Sequence, residues 1–82
     1  MYYVYILKSK RNLKLYKGFT SDLKRRIAEH NRGESTYTSQ NGPWELLYYE
    51  AFKSESDARR EEKFLKSGKG KERIKYLLND NS

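Results

Sequence analysis

Cysteine is missing from this 82-residue sequence, and proline, histidine and tryptophan each occur once. Without cysteine there can be no disulfide and no thiolate metal site. A lone proline leaves no proline-rich linker. No apolar run approaches the ~20 residues of a membrane span. The N-terminus lacks the charged start, apolar stretch and small-residue cleavage site of a secretory signal. These absences lead to the expectation of a soluble, cytoplasmic protein that needs no membrane. Hydrophobic residues are scarce, at 35%, and acidic residues are outnumbered 11 to 18 by Lys and Arg.

What is present is aromatic bulk and positive charge. Eight tyrosines, three phenylalanines and one tryptophan supply the volume a thin core needs. The length allows one domain, residues 1–82, which buries roughly 60% of the surface of its unfolded chain. The net charge of +7 attracts polyanions and speeds their encounter. Charge alone fits a nucleic-acid binder and a basic protein with no such partner equally well.

The chain alternates two periods. Tyr2 to Leu7 is rich in strand formers, with Tyr3, Tyr5 and Leu7 on one face and Tyr2, Val4 and Ile6 on the other. A polar link, Ser9 to Asn12, leads to a second strand over Leu13 to Gly18, antiparallel to the first, where Gly18 ends the strand. Ser21 or Asp22 caps a basic helix on which Leu23 and Ile27 recur at helical spacing, with Lys24, Arg25 and Glu29 facing solvent. Asn31-Arg32-Gly33 stops it. The polar stretch Glu34 to Gly42 reads as a loop.

Pro43 opens a third strand, in which Trp44, Leu46 and Tyr48 alternate with Glu45, Leu47 and Tyr49. Ser54 and Asp57 start a helix running to Lys66, with Ala58, Glu62 and Leu65 on one stripe and Glu61 at its edge. Ser67 to Gly70 breaks it, and a last helix carries Ile74, Leu77 and Leu78. The tail Asn79 to Ser82 is expected to fray. The order strand, strand, helix, strand, helix, helix is an α+β domain.

The candidate chemistry is that of a phosphate ester. Arg26 and His30 lie four apart on one helix face, and a guanidinium fork matches phosphate oxygens. They read equally as a surface charge and a cation favoured by the helix dipole. Glu62 is a carboxylate on an apolar stripe, costly to bury unless paired or metal-bound. An ion pair to Arg59 or Lys66 accounts for it as well. Tyr5 and Tyr16 are phenols that a nearby Arg, Lys or metal would make usable as bases, or core fillers with their hydroxyls at the rim. No zinc cluster, glycine-rich phosphate loop, nucleophile elbow or nucleotide fingerprint competes.

Taken together these residues resemble the GIY-YIG nuclease superfamily, in its short stand-alone bacterial branch. That branch is related to the N-terminal nuclease domain of the excinuclease C subunit and to the Slx structure-specific endonucleases. Tyr3-Val4-Tyr5 matches the first tripeptide and Tyr16-Lys17-Gly18 the second. Asp22 to Asn31 matches the helix with the family arginine, here Arg26, and Arg59 to Lys66 the helix with the metal-ligand glutamate, here Glu62.

The resemblance implies a three-stranded antiparallel sheet flanked by helices. It implies a DNA endonuclease of DNA repair or processing, with one divalent cation, Mg²⁺ or Mn²⁺, held mainly by Glu62. Tyr16 or Tyr5 would help activate the attacking water, Arg26 would clamp the phosphate, and His30 would contact phosphate or carry a proton. Lys17, Lys24, Arg25 and Asn31 are the candidate substrate contacts, Lys17 as a solvated residue opposite Tyr16. Tyr3 stands where the family pattern has its first glycine. The chain is expected to be the nuclease module alone, gaining affinity from its basic surface or from a protein partner that supplies targeting. The rival readings are a nucleic-acid-binding module with vestigial or partner-dependent catalysis, and an adaptor using exposed aromatics.

Overall fold

The computed structural model describes residues 1–34 and 36–79, with the backbone alone at 36, 37 and 79. Three strands form one antiparallel sheet: β1 (Tyr2–Ser9), β2 (Leu15–Thr20) and β3 (Trp44–Phe52), in spatial order β2-β1-β3. The helices are α1 (Leu23–Asn31), a single turn α2 (Thr36–Ser39), α3 (Glu55–Leu65) and α4 (Gly70–Asn79). The expected β-β-α-β-α-α order holds, with α2 added. Of the expected frayed tail, residues 80–82 lie outside the described residues.

The central strand divides two cores by its alternation. Val4 and Ile6 meet Ala58 and Leu65 of α3 and Ile74 of α4 on one face. Tyr5 and Leu7 meet Trp44 on the other, under Leu23 and Ile27 of α1. Val4, Tyr5, Ile6 and Leu7 are all fully buried. Burying each contributes about 1.5–3 kcal/mol relative to exposure, so the four make β1 the spine of the molecule.

The helix ends follow the cap chemistry read from the sequence. Asp22, rather than Ser21, caps α1 by accepting from the Arg25 backbone N–H at 3.2 Å. At its other end Gly33, at φ 79°, donates to the His30 carbonyl, and Glu34 donates to the Glu29 carbonyl. This pair of bonds is the Schellman ending. Ser54 caps α3 through the Asp57 N–H at 3.3 Å.

Four expectations need correction. The second strand does not end at Gly18. It runs to Thr20, and Gly18 pairs opposite Tyr5. A Cβ on Gly18 would overlap the Tyr5 hydroxyl and ring, so the glycine gives the phenol room rather than turning the chain. The same strand starts at Leu15, because Leu13 sits in the turn at φ 65°. The Glu34–Gly42 stretch is not loop throughout, since it contains α2, anchored by buried Thr38. The alternation of β3 breaks as well. Ile6 pairs with Tyr48 and Leu7 with Leu46, so Leu47 is an extra residue. Trp44 and Leu46 therefore pack beside Tyr5, while Tyr48 turns to the Val4 face. Gly42-Pro43, just before β3, is a cis peptide.

Candidate functional site

Tyr5 is the centre of the site. It projects from β1 across bare Gly18 on β2, and its hydroxyl lies 2.8 Å from His30 Nε2. Burial pushes the phenol up to about 12, and the Arg26 guanidinium beside it only partly opposes the rise. Tyr5 is thus a neutral phenol at physiological pH, against the expectation that a neighbouring arginine would make it a usable base. Desolvation outweighs one partly exposed cation.

His30 is not the surface cation that its place at a helix end allowed. It is 1% exposed, and burial, with Arg26 nearby, pushes its pKa down. Its Nδ1 lies 2.8 Å from Thr38 Oγ1. With Arg26 donating to the phenol oxygen, the phenol proton is available to Nε2, and the imidazole proton on Nδ1 then faces Thr38. Thr38 carries no functional signal in the sequence. Its backbone carbonyl also accepts from Trp44 Nε1 at 2.9 Å, so α2 ties the histidine to the start of β3.

Tyr16 packs edge-on to His30, with ring centroids 5.0 Å apart, and lies 6.3 Å from the Tyr5 ring and 6.2 Å from Trp44. Arg26 reaches the same point from α1. Its guanidinium donates to Glu29 Oε1 at 3.0 Å, and Arg25 donates to Glu29 Oε2 at 3.1 Å. Glu29 is therefore a half-buried brace for two arginines rather than a solvent-facing residue. Tyr5, Tyr16, Arg26 and His30, from three elements, converge as one group.

Glu62 lies on α3, and its charge acts on the Tyr5 phenol. It pairs with Lys66 at 3.0 Å, with its side chain 22% exposed. Glu61, expected at the edge of the stripe, is the more deeply buried of the two and lies 2.8 Å from Arg73. Lys17 faces the opposite side of β2 from Tyr16, level with Ile6, and lines a cleft with Leu15, Tyr16 and Lys66. Lys24 and Arg25 are exposed on α1. The Asn31 side chain holds the Trp44 backbone, accepting from its N–H at 2.8 Å and donating to its carbonyl at 3.4 Å.

Among the described residues no cluster of three or more His, Asp or Glu forms a ligand cage. The donors at hand are one carboxylate and phenol oxygens. That set suits a hard cation such as Mg²⁺, which keeps several waters and takes one or two carboxylates plus substrate phosphate.

Comparison with known proteins gives this geometry a family. The model of the GIY-YIG catalytic domain matches residues 1–76. A UPF0213 protein of Pediococcus acidilactici is 44% identical over 69 residues, covering 80% of this chain and 70% of its own. One from Staphylococcus haemolyticus is 40% identical over 77 residues, covering 93% of each. The solution NMR structure of a UPF0213 protein from Bacillus halodurans superposes with a TM-score of 0.58 at 40% identity, covering 94% of this chain and 85% of that one. Two tyrosines on paired strands, an arginine from the first helix and a glutamate from a later one are thus set out on a shared scaffold, and the chain belongs to the GIY-YIG nuclease superfamily.

Proposed function

We propose that this protein is a divalent-metal-dependent endonuclease that hydrolyses DNA phosphodiester bonds, in DNA repair or processing. One observation carries the reading: the Tyr5 hydroxyl is held between Arg26 and buried His30, beside Tyr16. Such a group can grip a phosphate from one side with its protonation states fixed in advance.

The group splits by reach. Tyr5 and His30 are buried at 0% and 1% exposure, so they act through others, as positioning residues. Tyr5 steadies Arg26, and His30 with Thr38 steadies Tyr5. Arg26, Tyr16 and Glu62 are the partly exposed members. Arg26 lays its guanidinium on the non-bridging phosphate oxygens, where negative charge grows as water attacks. Tyr16 orients that water through its hydroxyl. Glu62 would hold the cation, which when bound neutralises phosphate charge and makes water more acidic. Lys17, Lys24 and Arg25 add attraction for the backbone, and Asn31 keeps Trp44 in place behind Tyr16.

The test is cleavage of single-stranded, duplex, flap and four-way-junction DNA with Mg²⁺, Mn²⁺ or chelator. Glu62→Ala and Arg26→Ala should each lower cleavage about 100-fold or more while the melting temperature holds. Full activity in either variant would remove that residue from the mechanism. Binding without cutting, with any metal, would favour a nucleic-acid-binding module.

A further inference from the structure

We propose that the tip of the β1–β2 hairpin is a wedge for branched DNA, with Leu13 inserted where paired and unpaired strands meet. The inference rests on the nuclease reading and adds to it the residue that discriminates between DNA forms.

Leu13 is 65% exposed at the tip of a hairpin that carries three cations. Lys10, Arg11 and Lys14 flank it, all exposed. Among the described residues it is the one non-glycine residue with positive φ, at 65°. Glycine or asparagine is the usual occupant of such a turn position. Leucine gains no core burial there and supplies no turn chemistry. A residue kept in a poorly populated conformation needs surroundings that fix it, and such residues gather at functional sites.

The surroundings do fix it. Ser9 Oγ accepts from the Arg11 and Asn12 backbone N–H groups, both at 3.1 Å, and donates to the Asn41 carbonyl at 2.6 Å. Asn12 Nδ2 donates to Asn41 Oδ1 at 2.7 Å, and Arg11 reaches the Gln40 carbonyl at 3.2 Å. The tip is therefore braced against the segment that precedes β3. A rigid apolar point ringed by cations is the device that parts base steps while the charges hold the phosphates. Opening is easiest where a base is already unpaired.

The position fits the chemistry. Tyr16 lies three residues beyond Leu13, so the chain holds the two within about 10 Å of each other. A junction seated on Leu13 would bring a phosphodiester within about three base steps of it to Tyr16, at about 3.4 Å per step along one strand.

The experiment uses the full chain in chelator, so that binding is read without cleavage. The probes are a forked DNA carrying 2-aminopurine at the fork and a duplex of equal length. Wild type should bind the fork about 10-fold more tightly and raise the 2-aminopurine fluorescence, as unstacking does. Leu13→Asn suits the positive φ, so it should melt no lower than wild type. It should nevertheless lose both the fork preference and the fluorescence rise, with duplex affinity unchanged. Lys10→Gln should weaken both DNAs alike and reduce the salt slope by about 1. Retention of fork preference and fluorescence in Leu13→Asn would overturn the wedge. So would wild type binding both DNAs alike with no fluorescence change, and that result would leave the nuclease reading standing. Failure to bind any DNA at low salt would overturn both.

Discussion

Tyr5 shows how a single residue can be fixed by what its neighbour lacks. Its ring lies over Gly18, where a methyl group would collide with the hydroxyl. Gly18→Ala should cost about 1–3 kcal/mol through overpacking and pull the phenol away from His30. Urea denaturation should show the loss, and cleavage should fall more than DNA binding. An alanine variant with wild-type stability and turnover would mean that the ring moves aside freely. The two tripeptides were legible in the sequence, and so was the basic helix with Arg26. The burial of His30 was not. A histidine at a helix end satisfies a cation's pattern and a core residue's equally. What decides is Tyr5, 25 positions away, and Thr38, eight positions away in a stretch without periodicity.

At the scale of elements, the packing of α4 and α3 against β3 traps two carboxylates together. Arg73 of α4 lies 2.8 Å from Glu61 of α3 and 3.7 Å from Glu50 of β3. Burial first, then Glu61 beside it, pushes Glu50 up to about 7, with Arg73 and Tyr48 opposing. Between pH 4.5 and about 7 the folded chain therefore holds a proton that the unfolded chain has released. Stability from this group is present at the acid end and is lost as pH rises to about 7. Glu50→Gln should remove that dependence, so its gain in urea midpoint over wild type should be larger at pH 8 than at pH 5. An equal gain at both would show that Glu50 ionises in the folded chain as it does in the unfolded one. His30 contributes with the opposite sign, because a depressed histidine loses stability as pH falls below 6.5, and both proteins share that loss. The element order was readable because periods of two and 3.6 alternate cleanly along the chain. The turn α2 and the extra residue in β3 were not, since a single turn of four residues carries no period and one inserted residue leaves local composition unchanged.

For the whole molecule, charge and shape set how it meets DNA. A net +7 is carried on a body about 28 × 27 × 22 Å, and no helix among the described residues is long and apolar enough to cross a membrane. If about four phosphates are neutralised, affinity should fall about 100-fold between 50 and 200 mM salt. Fluorescence anisotropy across that range would show it, and a flat response would point instead to recognition through the exposed aromatics. The sheet that organises this body has two open sides, and one of them is β3. Its segment Leu46-Leu47-Tyr48-Tyr49 is uncharged and rich in strand formers, the composition from which fibrils assemble. Leu47 alters what that side offers to another copy. The extra residue bends and twists the strand, so its outward N–H and C=O groups do not form a straight row for templated stacking. The insertion that turns Tyr48 toward the core thus also makes this open side a poorer template for a second copy.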